Sequence, residues 1–271
     1  MEIASTLDVM TRLFAVLLLC AASVSAQTDP LTYQTPPPEL AALVDAPRTP
    51  SVSLSPDRQM MAFFAQSGVP DIASLAQPEL GLGGIRVNPA TNGPSRANGS
   101  VGLAFRATQS TGDPVDVTGL PANPEIRNAR WSPDGSHVAF TLDFADRVEL
   151  WVANVASGEA RPWLDVAIND AAPGSPFEWT PDSRSVVART IPRGRSAMPT
   201  QATIPTGPVI REASGEAAAA RTYQDLLQNP HDEALFDHFM TSQLVVASLN
   251  GDVMTFDTPA VITDASPSPD G

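Results

Sequence analysis

Lysine is absent from the chain, so its 16 basic residues are all arginine and are outnumbered by 30 acidic residues, which leaves a net charge of −14. So acidic a surface repels phosphate groups, and nucleic acids and anionic membranes are therefore excluded as expected partners. An acidic surface without lysine suits high ionic strength, where salt screens the self-repulsion, but a GC-rich codon bias would also exchange lysine for arginine. The composition leaves both explanations open.

Cysteine and histidine are scarce as well, with one cysteine, Cys20, and three histidines. A single cysteine excludes disulfide bonds within the chain. Also missing are the Gly-x-Ser-x-Gly, His-Glu-x-x-His and Gly-x-x-x-x-Gly-Lys patterns that mark a nucleophilic serine, a zinc site and a phosphate-binding loop. We therefore assign no catalytic residue, no metal ligand and no cofactor. One predicted helical stretch does cluster acids and histidines: His231, Asp232, Glu233, Asp237 and His238. Acids in a first helical turn ordinarily interact with the helix dipole, so we do not assign a metal site there.

Long apolar runs are missing except near the start, where residues 13–22 form a run too short to cross a bilayer. The small residues Val24-Ser25-Ala26 follow this run and fit a cleavage site. We expect residues 1–26 to be a signal peptide and residues 27–50 to form an N-terminal extension. The mature protein is then expected to be exported, periplasmic or extracellular, with no membrane span.

Proline, by contrast, is abundant, and its 27 residues are about twice the usual share of ~5%. It disfavours long helices and suits turns between short strands. One turn motif recurs, because Ser-Pro-Asp-Gly occupies residues 132–135 and 268–271, with weaker versions at 55–58 and 180–183. Proline presets the second turn position and glycine takes the left-handed one, so each copy predicts a β-hairpin between the flanking apolar runs.

A second hairpin pattern follows each of the first three turn motifs, at residues 101–117, 150–163 and 244–256. Repeated four-stranded antiparallel units are typical of a β-propeller, in which neighbouring blades cover each other's faces. The sequence therefore predicts an all-β fold, an incomplete β-propeller over residues 51–271. Its blades are three complete units and the cut start of a fourth: about 50–120, 127–165, 175–258 and 261–271.

Blades one and three are longer than blade two, and the extra length falls at one place in both. It lies between the second and third strands, at roughly residues 68–99 and 191–241. Because strands alternate in direction, both insertions leave from the same face of the propeller, and we predict that this face is functional. The insertion in blade three is predicted to be helical, with one helix over residues 216–228 and a short second helix from Pro230 through Met240.

Three arginines in or beside the insertion of blade three are candidate substrate-binding residues: Arg193, Arg195 and Arg221. They lie on the predicted functional face of an otherwise acidic protein, and a guanidinium group is suited to bidentate recognition of a carboxylate. Structural ion pairing is the alternative role for each of them.

Four segments of the chain are distinctive: residues 82–96, 177–183, 221–227 and 229–233. They resemble the glutamyl endopeptidase branch of the prolyl oligopeptidase family. The resemblance runs from about residue 31 to the last residue, and its inserted segments make it more specific than the turn motifs, which many exported propellers share.

This resemblance implies a serine peptidase in which an N-terminal propeller admits peptides to a C-terminal α/β-hydrolase domain, with cleavage after acidic residues. The catalytic Ser, Asp and His of such an enzyme would lie beyond Gly271, so we expect the chain to be a fragment without them. Its expected partners are a peptide substrate and the missing hydrolase domain. The alternative is a standalone exported propeller that binds a protein or peptide and has no enzymatic activity.

Overall fold

The computed structural model describes residues 36–68, 70, 72–201, 223–256 and 258–269, so the predicted signal peptide lies outside the described residues. The chain divides into two compact units, residues 1–46 and 47–271. The described part of the first unit holds helix α1 (Pro38–Val44), which buries none of its residues. Across the described ranges, no helix is both long enough and apolar enough to cross a membrane.

Strands dominate the second unit, which also contains the short helices α2 (Ile72–Leu75) and α3 (Pro230–Met240). The strands in the described ranges are, in chain order, β1 (Ser51–Leu54), β2 (Met60–Gln66), β3 (Leu80–Leu82), β4 (Ile85–Asn88), β5 (Gly93–Pro94), β6 (Ser100–Ala107), β7 (Val115–Asp116), β8 (Ile126–Trp131), β9 (His137–Asp143), β10 (Val148–Asn154), β11 (Glu159–Pro162), β12 (Phe177–Trp179), β13 (Ser185–Thr190), β14 (Thr241–Ser248), β15 (Val253–Thr255) and β16 (Ala260–Val261).

These strands form three four-stranded antiparallel blades, in the orders β1-β2-β6-β7, β8-β9-β10-β11 and β12-β13-β14-β15. One residue pair, Ser100 with Ile126, connects the sheet of blade one to that of blade two. The sheets are open, and the predicted all-β fold of four-stranded blades is confirmed. Strand β16 pairs with Thr241 and Ser242 at the start of β14. The start of a fourth blade from about residue 261 stays a prediction.

The turns at residues 55–58, 132–135 and 180–183 have the predicted hairpin geometry, and the end of the copy at 268–271 lies outside the described residues. In the best copy, the Ser132 hydroxyl donates a hydrogen bond of 2.7 Å to the Asp134 carboxylate, which also accepts one from the Ser136 amide at 3.0 Å. Gly135 has a φ of 73°, and Arg58 and Ser183 take the same left-handed position at 60° and 62°. Each non-glycine residue there is strained, but a hydroxyl–carboxylate hydrogen bond, from Ser55 to Asp57 or from Thr180 to Asp182, still closes the turn.

Apolar faces of neighbouring blades form two core clusters, one between blades one and two and the other between blades two and three. Tryptophans lie at both interfaces, and each one keeps a partner for its ring N–H. The Trp163 and Trp179 rings are 5.0 Å apart, and their N–H groups donate to the carbonyl oxygens of Ser248 and Arg130. The blades are thus held by apolar packing in which the tryptophan ring N–H groups remain satisfied.

The two insertions lie where the sequence predicts them, between β2 and β6 and between β13 and β14. The first contains α2 and a small sheet in the order β3-β4-β5, and the second contains α3. Helix α3 is confirmed, and the side chain of its N-cap residue Asn229 accepts from two backbone amides of the first turn.

The predicted helix over residues 216–228 is wrong for residues 223–228, which are not helical, and the rest of it lies outside the described residues. Asp225 has a φ of 56°, which no α-helix accommodates. Its carbonyl oxygen accepts from the Gly84 amide, and its carboxylate pairs with Arg86 at 3.2 Å. Contacts with the other insertion therefore override the local helical preference.

Candidate functional site

The two insertions pack against each other and build a third core cluster. Its buried members come from the small sheet of the first insertion, from the linker between blades two and three, and from helix α3: Leu82, Val87, Ala171, Ala172, Leu235, Phe239 and Met240. Two long insertions that share a core form one continuous surface on the face predicted to be functional.

Asn92 is the polar centre of this contact. It lies in the turn between β4 and β5, is 2% exposed and has a φ of 58°. Its side-chain amide donates to the Asn169 side-chain oxygen at 2.6 Å and to the Phe239 carbonyl oxygen at 3.2 Å. Asn169 in turn donates to the carbonyl oxygens of Phe239 and Thr241, at 3.0 and 2.9 Å. This pair of asparagines ties the first insertion, the linker and the end of α3 together.

A buried ion network continues from the linker into blade two. Arg127 donates to both carboxylate oxygens of Asp143, at 2.7 and 2.9 Å, and to Asp170 at 2.7 Å. Burial opposes the charge of Arg127, but these two carboxylates more than offset it and raise the pKa of Arg127. Burial also raises the pKa of Asp170, against the stabilising effect of Arg127 and of a hydrogen bond from Asn128. The network fixes the linker, and with it Asn169.

Arg195 reaches the same contact from the second insertion. Its Nη1 donates to the Asn92 side-chain oxygen and to the His238 carbonyl oxygen at 3.2 Å, and its guanidinium lies 6.0 Å from the Phe239 ring centre. Burial lowers the pKa of Arg195. We call Asn92, Asn169, Arg195, His238 and Phe239 the insertion junction.

Arg193 does not join Arg195. Arg193 is exposed and pairs at 3.5 Å with Asp165, which is equally exposed, so it has the weak surface ion pair that was its alternative role. Arg221 lies outside the described residues. The structure thus places one of the three candidates at the contact between the insertions.

A cavity of about 500 Å³ opens next to the insertion junction, between the first insertion and the β9–β10 turn. Its size is within the range of small-molecule and peptide sites. Its walls are mixed in character and carry charge of both signs: Asn88, Thr91, Arg96, Glu125, Asp143 and Phe144. Arg96 is itself half-exposed and 3.4 Å from Glu79.

Sequence reasoning found Arg195 but missed Asn92, Asn169, Asp170 and Arg127. The only available signal was the Asn-Gly pair at residues 92–93, inside one of the segments that carry the family resemblance. The acidic cluster of α3 serves the helix start, since Asp232 accepts from the Gln228 amide and from the Asn229 side chain. Among the described residues, no group of three acids, histidines or cysteines is placed to hold a metal ion.

Two curated plant proteins are similar to almost the whole chain. The chain is 35% identical over 268 residues to “Probable glutamyl endopeptidase, chloroplastic” of Arabidopsis thaliana, covering 93% of this chain and 28% of the relative. It is 36% identical over 251 residues to the protein of the same name in Oryza sativa subsp. japonica, covering 88% and 26%. These matches support a relationship between the chain and the glutamyl endopeptidase family. The chain spans about a quarter of their length.

No protein-family model matches the chain. Among solved structures, the acylaminoacyl peptidase of Pyrococcus horikoshii aligns with 80% of this chain and 26% of its own, at 14% identity and a TM-score of 0.37. A TM-score of this size carries no argument about function.

Proposed function

We propose that the chain is the propeller portion of an exported serine peptidase of the glutamyl endopeptidase type. The observation that carries the proposal is the 35% identity over 93% of the chain, which includes both insertions as well as the repeated blades. In this proposal a hydrolase domain cleaves the peptide bond, and the propeller admits and positions the peptide. The chain contributes no catalytic residue.

The shared core of the insertions supports this role for the propeller. Loops that position a substrate must themselves be held in place, and the insertion junction holds both insertions through apolar packing and through buried hydrogen bonds. Cleavage after acidic residues is part of the proposal, and the cation of Arg195 on this face supports it.

The experiment uses the natural gene product, purified from its source with an antibody raised against the chain. We expect a protein well above the 28.5 kDa of this chain that reacts with a fluorophosphonate probe for active serines. We also expect it to cleave a peptide with a single Glu but not the same peptide with Gln. A heat-denatured sample controls for nonspecific labelling. A product without probe reactivity and without peptidase activity would refute the proposal.

The second candidate function, a standalone propeller that binds a peptide, is favoured by the cavity of about 500 Å³, because this cavity is formed by the chain alone. The same purification separates the two functions. A natural product no larger than this chain that retains bound peptide, identified by mass spectrometry after denaturation, would favour binding without catalysis.

A further inference from the structure

We infer that Arg195, held by the insertion junction, is the binding site for a carboxylate group of a peptide. The inference rests on the proposed function for the identity of the ligand as a peptide, and it adds the residue that would recognise an acidic side chain of that peptide.

The hydrogen bonds of Arg195 leave much of its guanidinium group available. Within the described residues, both of its hydrogen bonds come from Nη1, to Asn92 and to the carbonyl oxygen of His238. These two neutral acceptors fix the plane of the group and leave the Nε and Nη2 donors for a ligand. Two parallel N–H donors are the arrangement that binds a carboxylate in bidentate fashion.

Arg195 also differs from Arg127, Arg86 and Arg193 in its charge balance. Arg127 contacts two carboxylates, Arg86 contacts two, and Arg193 contacts one. Within the described ranges, Arg195 has no carboxylate at ion-pair distance, and burial lowers its pKa. A partly buried cation without a counter-ion costs free energy. The protein has 30 acidic residues, and none of those described is placed beside Arg195. A ligand carboxylate would supply the missing charge.

The position of Arg195 favours a peptide carboxylate over a phosphate group. One guanidinium offers the two donors that a planar carboxylate needs, whereas phosphate sites generally gather several donors or cations. The net charge of −14 further weakens the binding of any polyanion, but it weakens the binding of a peptide with one carboxylate much less.

The test compares acetyl-Ala-Glu-Ala-amide with acetyl-Ala-Gln-Ala-amide, binding to the full chain and measured by NMR titration. The Glu peptide is expected to bind the wild type more tightly than the Gln peptide. Because a charge-assisted hydrogen bond is worth about 1.5–3 kcal/mol, Arg195→Gln should weaken the Glu peptide about ten- to a hundredfold and leave the Gln peptide unchanged. Arg193→Gln, two residues away and equally charge-neutral, should change neither.

His238 provides a readout that a purely structural role of Arg195 would not move. Burial and the nearby charge of Arg195 lower the pKa of His238. A carboxylate bound to Arg195 neutralises that charge, so the Glu peptide should raise the pKa of His238 in the wild type and in Arg193→Gln but not in Arg195→Gln. With three histidines in the chain, the ring signals are readily assigned.

Equal binding of the two peptides to the wild type would overturn the inference, as would an unchanged pKa of His238 at saturation with the Glu peptide. If Arg195→Gln does not fold, Arg195→Lys is the second variant. It keeps the charge but loses the two parallel N–H donors, so it should still prefer the Glu peptide but by a smaller factor than the wild type. Serine reactivity of the natural gene product is measured separately, so an active peptidase with no carboxylate site on Arg195 would refute this inference and leave the proposed function standing.

Discussion

Replacement of Asn92 by alanine should destabilise the protein far more than its location in a surface turn suggests. Asn92 is 2% exposed and makes hydrogen bonds to Asn169, Phe239 and Arg195. Alanine at a φ of 58° would add backbone strain of about 1 kcal/mol. It would also remove one of the two donors to the buried Asn169 oxygen, which keeps the Ala171 amide, and leave one donor of Arg195 without a protein partner, at about 1–2 kcal/mol each. The expected total is about 3–5 kcal/mol.

The assay is urea unfolding of the wild type and of three variants. Asn92→Gly has no left-handed strain but the same lost hydrogen bonds, so it should recover about 1 kcal/mol relative to Asn92→Ala. Asn123→Ala is the matched control, because Asn123 has a φ of 51° and is exposed. Asn123→Ala should therefore lose only about 1 kcal/mol of stability, from the backbone strain of alanine. The reasoning would be refuted if Asn92→Ala were no more destabilising than Asn123→Ala.

The remaining predictions concern charge. Arg127→Gln should destabilise the protein by about 3–5 kcal/mol, because it leaves the buried carboxylate of Asp170 without its arginine partner. Arg147→Gln breaks exposed ion pairs and should lower the free energy of unfolding by less than about 1 kcal/mol in the same assay. Burial lowers the pKa of His137 below 6.5, so the stability linked to this residue is fully present above pH 6.5 and is lost as the pH falls below it. His137→Gln should flatten that part of the stability profile, and equal slopes in both proteins would contradict this assignment.

Much of the fold could be predicted because its signals are local. A turn motif and the apolar runs beside it lie within about a dozen residues, so the hairpins, the blades and the two insertions could all be located from the sequence. Helix α3 was predictable for the same reason, since Asn229 and Pro230 mark its start within the chain itself.

The errors arose where distant segments meet. The helix predicted over residues 216–228 fails at Asp225, whose conformation is set by Gly84 and Arg86 in the other insertion. The insertion junction was equally hidden, because nothing near Asn92 or Asn169 in the sequence indicates that they are partners. Arg195 could be proposed from its residue type, but its neutral partners, and the lack of a carboxylate beside it among the described residues, appear only in three dimensions.

The spacing of the insertion junction along the chain also has a kinetic consequence. Asn92 and Phe239 are 147 residues apart, so their contact closes a loop that contains half of blade one, all of blade two and half of blade three. The entropy of that closure is offset only once the blades have formed, which places the junction late in folding. Disruption of the junction should therefore accelerate unfolding more than it slows folding. The surface proposed to receive the peptide would then be the last part of the propeller to assemble and the first to open.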